Sequence, residues 1–318
     1  MDRNLALDFI RVTEAAAMAS ARFVGKGDKI GADDAATTLM RKSFNRLDID
    51  GKIVIGEGER DDAPMLYIGE KVGTGKGLKV DIAVDPLECT NSVAYGRPNA
   101  MAVMAASPSG SMLHAPDTYM NKIAVAKIAK GQVSVEADVE YNLTNLAKAL
   151  DKKVKDLTVC VLDRDRHSKL ISDIRKLDAR IILIPDGDVA GAIAPSIETS
   201  AIDILMGVGA APEGVLAASA LACLDGYMEG KIQFRSDEDQ KRAYKMGVTN
   251  PEKIYKIKDL VDPNRAMFAA TGVTNGPFLK GVEFTKEGAI THSIVMRARS
   301  KTVRFIEGHH VFDDEPNY

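Results

Sequence analysis

The sequence predicts an α/β fold of two lobes, and three observations lead there. The chain has 318 residues, about two domains' worth at ~150 residues each. Segments of strand and helix type alternate regularly through its second half, the pattern of an α/β lobe with mostly parallel strands. Several apolar, β-branched runs stop abruptly at acids or glycines, where strands of open α/β sheets present ligands beyond their carboxyl ends. The 45% hydrophobic content is ordinary for a globular chain and fills a sizeable core. With 42 basic and 45 acidic residues intermixed and a net charge of −3, nothing resembles the basic stripe of a nucleic-acid binder. The three cysteines, Cys89, Cys160 and Cys223, are too widely spaced for a metal knuckle or disulfide framework, which suits a reducing, cytoplasmic compartment. No apolar run approaches the ~18 residues of a membrane span, and the N-terminus lacks a signal-peptide core.

Taken in order, Leu5, Phe9, Val12, Ala16 and Ala19 recur at helical spacing, and Gly25 supplies a stop. A second helix is expected near Asp33, with Leu39, Met40, Phe44 and Leu47 on its apolar face and Asp33 as a candidate N-cap. Lys52 to Ile55 reads as a short strand leading into Gly56-Glu57-Gly58-Glu59-Arg60-Asp61-Asp62, where the glycines imply tight folding around Glu57. Gly73-Thr74-Gly75-Lys76-Gly77 fails the nucleotide-loop spacing and precedes a strand instead of following one, so it is a turn. Val80 to Val84 is a buried strand expected to end at Asp85-Pro86, since proline removes a ladder donor. A short helix is expected to begin near Thr90, followed by a strand from Ala102 to Ala106 and antiparallel strands between Ile123 and Val139.

A helix from Asn142 to Leu150 leads to Lys152-Lys153-Val154-Lys155-Asp156, the most polar stretch nearby. It marks the expected boundary between lobes 1–152 and 153–318. Strands follow at Leu157 to Leu162, Arg180 to Ile184 and Ile202 to Met206, with helices at Arg166 to Leu177 and Pro212 to Leu224. Later strands run Met267 to Thr271 and Ile290 to Arg297, and the tail from His309 to Tyr318 looks poorly anchored.

The chemistry concentrates at strand ends. Asp85 and Glu88 share one turn with the Thr90 hydroxyl, and Glu57 ends the preceding strand in the same way. Gathered carboxylates repel unless a cation or proton sits among them. An all-oxygen set without paired His or Cys suits Mg²⁺ or Mn²⁺ rather than zinc or copper. Asp33 and Glu213 also serve as ordinary helix-end acids in the simpler reading, worth ~0.3–1 kcal/mol each. Arg164, Arg166 and His167 stand at a helix start, where positive charge opposes the dipole and an anion would justify it. Asp186 and Asp188 around Gly187 are a turn, or hydroxyl acceptors beside that anion site. Tyr119 suits core packing or ligand contact equally. Together these features favour a metal-assisted phosphatase.

The combination of Gly56-Glu57-Gly58-Glu59, the segment Ala63 to Gly73, Asp85-Pro86-Leu87-Glu88, Ala115-Pro116-Asp117-Thr118-Tyr119-Met120, Pro185-Asp186-Gly187-Asp188 and Ala211-Pro212-Glu213-Gly214 resembles class II fructose-1,6-bisphosphatases of the bacterial GlpX type. The resemblance runs from Arg11 to about Arg304. It implies the lithium-sensitive sugar and inositol phosphatase superfamily, a layered α/β/α/β/α sandwich, Mg²⁺ or Mn²⁺ dependence, and a homodimer or homotetramer. It implies hydrolysis of the 1-phosphate of fructose 1,6-bisphosphate in gluconeogenesis. Carried over by position, Asp33, Glu57, Asp85, Glu88 and Glu213 are metal ligands, and Thr90 orients water with Asp33 and Glu57. Glu88, Cys89, Thr90, Tyr119, Arg164, Asp165, Arg166, His167, Asp186, Gly187, Asp188 and Ala210 contact substrate.

Two positions depart from the family pattern. Cys89 replaces the glycine of the acid-proline turn, and Asp165 replaces the proline of a basic-Pro-Arg-His motif. A cysteine held at positive φ costs on the order of 1–3 kcal/mol. Its thiol, beside a helix N-terminus, is expected either to be oxidation-sensitive or to pack inward as a small hydrophobe. Sedoheptulose-1,7-bisphosphatase activity is the nearest alternative, inositol- or nucleotide-phosphate hydrolysis a more distant one, and a non-catalytic sugar-phosphate sensor the alternative of another class.

Overall fold

The computed structural model describes residues 5–58, 64–246, 248 and 250–312. From the N-terminus come α1 (Leu5–Ala21), α2 (Lys29–Phe44), β1 (Ile49–Ile55), β2 (Lys71–Val72), β3 (Leu78–Glu88), α3 (Thr90–Ala94) and β4 (Met101–Pro108). Then follow β5 (Tyr119–Val125), α4 (Val139–Ala149), β6 (Thr158–Leu162), α5 (Ser168–Lys176), β7 (Arg180–Ile184), α6 (Val189–Ile193), β8 (Ile204–Ala210), α7 (Ala211–Leu224) and β9 (Tyr227–Gln233). The chain finishes with α8 (Asp237–Lys245), β10 (Ile254–Lys256), α9 (Ile257–Leu260), β11 (Met267–Gly272), β12 (Glu283–Phe284), β13 (Gly288–Arg297) and β14 (Thr302–Val311).

Two compact units result, one combining Met1–Met112 with Asn264–Tyr318 and the other comprising Leu113–Pro263. The expected boundary at 152/153 instead falls inside the second unit, between α4 and β6. Charge at Lys152 to Asp156 marks an exposed turn there. The real division is discontinuous, because β11, β13 and β14 return to the first sheet.

The first unit is an eight-stranded sheet ordered β12-β13-β11-β4-β3-β1-β2, with β14 paired to β13. Phe9, Val12, Ala16 and Met40 from α1 and α2 pack on Ile53, Ile82, Val84 and Met104 in one apolar core. The α1 periodicity holds as expected. Helix α2 begins earlier than the sequence suggested, because Asp28 is the N-cap and accepts the Gly31 N–H at 2.8 Å. Asp33 therefore lies beyond the first turn and is no cap.

Strand β3 does not stop at Pro86. It continues to Glu88 through an irregularity, with Asp85 opposite Val103 and Glu88 opposite Met101. Three steps on β3 thus face two on β4, a bulge in which a proline needs no ladder partner. The Leu87 N–H turns back to Asp85 Oδ1 at 3.1 Å. The tail is also better held than expected, since β14 pairs with β13 from Thr302 to Val311. Residues 313–318 lie outside the described part.

The second unit is a six-stranded sheet ordered β10-β9-β5-β8-β6-β7. The mostly parallel sheet expected here is only half realised. β6 runs parallel to β7 and β8, but β5 is antiparallel to both β8 and β9. β9 follows β8 and α7 in the chain, yet β5 occupies the place between β8 and β9. Only one strand, β5, forms in the stretch expected to hold several. On one face Ile123, Val125, Val159, Val161 and Ile204 meet α4 and α5 residues Leu143, Leu146, Ile171 and Ile174. On the other face Gly191 of α6 abuts Cys160, and Gly214 of α7 abuts Met120. The second unit is thus helix on sheet on helix, and the first is helix on sheet, the layers of a sugar-phosphatase α/β fold.

Candidate active site

In the first unit, β1 and β3 are adjacent parallel strands, with Ile53 opposite Ile82 and Ile55 opposite Ala83. Glu57 follows the end of β1, and Asp85 lies two residues past Ala83 on β3, so the ladder brings the two acids toward one end of the sheet. The backbone folds tightly before Glu57 because a Cβ on Gly56 would fall 2.0 Å from the Leu66 carbonyl oxygen. That same oxygen accepts the Glu57 N–H at 3.1 Å. The tightness implied by the glycines is therefore backbone packing against Leu66. Glu59 to Ala63 lie outside the described residues.

Glu57 lies within electrostatic reach of Asp85 and Asp33. Burial, followed by the charges of Asp85 and Asp33, pushes Glu57 up to about 8. Asp33 is itself raised by burial and by Asp34. Glu88 is buried at 2% exposure after the bulge, and Thr90 opens α3. Among the described residues, no three His, Cys, Asp or Glu side chains converge as a ready metal cage. The crowding of Glu57 still calls for positive charge, since like-charged carboxylates hold a proton or a cation between them. A cavity of about 400 Å³ in this unit, lined by Arg11, Glu14, Arg46 and His310 among others, contains none of these acids.

In the second unit, Tyr119 starts β5 opposite Ala210 of β8 and Gln233 of β9. The Arg166 guanidinium lies 4.7 Å from its ring centroid and that of Arg235 5.4 Å, both within cation–π range. Arg166 donates from Nε and Nη2 to the Val208 carbonyl at 3.1 and 2.7 Å. Arg164 donates to the Asp163 and Pro185 carbonyls and, at 3.2 Å, to Asp186 Oδ1. Gly187 sits at φ +56°, the left-handed conformation a glycine takes without strain. The turn leaves Asp188 at 2% exposure, where Lys122 Nζ reaches its carboxylate at 2.6 Å. Glu213 caps α7, accepting the Ala210 N–H at 3.4 Å.

Residues 3–310 match the family described as bacterial fructose-1,6-bisphosphatase, glpX-encoded. The chain belongs to this family. It is 43% identical to the D-fructose 1,6-bisphosphatase class 2/sedoheptulose 1,7-bisphosphatase of Synechococcus elongatus, over 99% of this chain and 98% of the relative. It is 44% identical to the protein of the same name from Thermosynechococcus vestitus and 42% to that of Trichodesmium erythraeum, each with the same coverage.

Within this glpX-type frame, several expectations change. His167 is no anion ligand. It is buried, its Nδ1 lies 2.7 Å from the Leu162 carbonyl, and its Nε2 accepts the Val208 N–H at 2.8 Å. Both ring nitrogens are spent on backbone, which defines a neutral ring with the proton on Nδ1. Gly207 makes room for it, since a Cβ there would lie 3.0 Å from Nε2. The dipole argument for Arg164 and Arg166 also weakens, because carbonyls and Asp186 already meet their charge. Asp165 takes the first position of a 3-10 turn, Asp165–His167, where an acid is favourable and a proline dispensable.

Cys89 takes the positive φ expected of the glycine it replaces and packs inward as a small hydrophobe. It caps α3 at φ +70° and ψ +50°, and its thiol packs into the first unit's core at 6% exposure. Sequence reasoning missed Lys122 and Arg235. A lysine inside an alternating apolar strand between two glycine-rich segments was the available signal for the first. For the second, no strand had been expected before Arg235.

Proposed function

We propose that this chain hydrolyses the 1-phosphate of fructose 1,6-bisphosphate, giving fructose 6-phosphate and phosphate, in the cytoplasm as a step of gluconeogenesis. The observation that supports this most directly is that Glu57 stands within electrostatic reach of Asp85 and Asp33 and is raised to about 8. Their all-oxygen chemistry fits Mg²⁺ or Mn²⁺. Asp33, Glu57, Asp85 and Glu88 of the first unit would hold such ions. When bound, the ions polarise phosphoryl oxygens and acidify water.

The chain's own groups do the rest. Thr90, at the start of α3, aligns the attacking water by hydrogen bonding, with Asp33 and Glu57 as proton acceptors. Tyr119, within cation–π range of two guanidiniums, and Arg164 and Arg166 bind the distal phosphate. Asp186 and Asp188 accept hydrogen bonds from sugar hydroxyls. The names of the cyanobacterial relatives favour sedoheptulose 1,7-bisphosphate as a second substrate of the same pocket. A homodimer or homotetramer is the expected assembly.

The test is phosphate release with Mn²⁺ on fructose, sedoheptulose and inositol phosphates, with Thr90→Ala as control. Activity on the ketose bisphosphates alone is expected, and the variant is expected to lose ~10²–10⁴-fold in kcat with little change in KM. Equal activity on inositol phosphates would overturn the substrate assignment. A rise in KM alone would make Thr90 a binding residue.

A further inference from the structure

Lys122 stands in the middle of β5 with 1% exposure, the largest charged side chain fully inside the second unit. Its strand neighbours on either side are glycines, Gly207 of β8 and Gly230 of β9. Its side chain faces α6 and α7, where a Cβ on Gly214 would come 3.4 Å from its Cδ. A Cβ on Gly209 would fall 2.9 Å from its Nζ and 2.1 Å from Asp188 Oδ2. These glycines leave a channel that one unbranched cation fills.

At the end of that channel the ammonium meets three groups. It donates to the Asp188 carboxylate at 2.6 Å and to the Ala210 carbonyl at 2.9 Å, and stands 3.7 Å from Glu213 Oε2. Asp188 and Ala210 come from different elements, the turn before α6 and the end of β8. A buried cation held by a carboxylate and a carbonyl fixes their mutual distance, because removing it leaves a buried negative charge uncompensated. Burying a lysine for fold alone is a poor bargain, since a well-packed apolar pair is often as stable or more so.

We propose that Lys122 is a positioning residue for the sugar: its ammonium sets the orientation of Asp188 and of the Ala210 carbonyl before substrate arrives. This rests on the reading of Asp188 and Ala210 as sugar contacts. Lys122 itself is walled off from substrate and acts only through them. Pre-set acceptors reduce the ordering cost of binding, so the effect falls on KM more than on kcat.

The experiment compares wild type, Lys122→Met, Asp188→Asn and the neutral pair Lys122→Met/Asp188→Asn for thermal stability and for kcat and KM on fructose 1,6-bisphosphate with saturating Mn²⁺. The Lys122→Met variant is expected to melt well below wild type, since it strands the Asp188 charge. The double variant, freed of that charge, is expected to recover most of the stability while its KM remains at least about tenfold above that of Asp188→Asn alone and its kcat falls less than about threefold. A double variant that regains stability with no higher KM than Asp188→Asn alone would mean that Lys122 only neutralises a buried acid, and would overturn the assignment. So would a folded Lys122→Met variant with unchanged KM. Failure of the wild type to release phosphate from this substrate would instead overturn the parent reading, and the positioning role with it.

Discussion

Lowering the pH from 8 to 6 is expected to weaken Mn²⁺ binding by about 50-fold through Glu57 alone, because the ion must displace a proton there. The magnitude follows from the structure. Burial and the charges of Asp85 and Asp33 lift Glu57 from 4.5 to about 8, so at pH 6 its carboxyl is almost wholly protonated. Below that value each pH unit costs an ion that needs the carboxylate about a factor of ten. Calorimetric titration of the intact chain at pH 6, 7 and 8, in two buffers of different ionisation enthalpy, reads both affinity and protons released. About one proton per ion is expected at pH 6, falling toward half at pH 8. Glu57→Gln should bind more weakly at pH 8 but with a much flatter pH dependence.

Without added ion the same shift acts on stability with the opposite sense. A carboxyl raised in the folded state contributes fully below its unfolded value of 4.5, and that contribution is gone above about 8. At 1.36 kcal/mol per unit the upper bound is about 5 kcal/mol. The melting temperature in chelator should therefore fall as pH rises from 5 to 8.5, and fall less in Glu57→Gln. Equal pH slopes for wild type and variant, in both experiments, would refute the claim that these three acids share one place.

Two further outcomes follow from residues already described. Burial holds the His167 ring below its ordinary range, chiefly against a backbone hydrogen bond to Leu162. Its contribution is therefore complete above about 6.5 and lost as pH falls through the lowered folded value. Urea midpoints should drop between pH 6.5 and 5, and His167→Phe should be destabilised by ~1–3 kcal/mol, for the Val208 N–H left without its acceptor, while losing part of that slope. An unchanged slope in the variant would place the effect elsewhere. The Cys89 thiol, packed in the core, should react with a thiol reagent only on unfolding. Cys89→Gly should change stability by no more than ~1 kcal/mol, relief of the positive φ offsetting lost packing. Rapid reaction of the native wild type, absent from Cys89→Gly, would revive the idea of an exposed, oxidation-sensitive thiol.

Much of the architecture was legible where periodicity and breakers agreed. The α1 face, the β1 and β3 strands and the segments Thr158–Leu162 and Arg180–Ile184 all stand near where the pattern put them. What failed has identifiable causes. Pro86 marked a strand end only because a bulge, a property of two strands together, was invisible in one. Asp33 looked like a cap until Asp28, four residues into a glycine-lysine loop, took that role. The boundary at 152/153 followed local charge, whereas the division depends on pairings between strands more than 160 positions apart, such as β4 with β11. Glu57 and Asp85 were readable as companions because each comes just after an apolar strand run. His167 was not readable as structural, because its two partners, Leu162 and Val208, come from different strands.

The pairing of β4 with β11 also orders events during synthesis. Residues 113–263 have both ends of their sheet in hand once Pro263 has been made, so this unit can complete its hydrogen bonding while the chain is still growing. The first sheet cannot, since β4 waits with an open edge until β11 emerges. A message truncated shortly after Pro263 would therefore yield one finished unit and one exposed strand edge, a species more prone to aggregate than to be merely inactive.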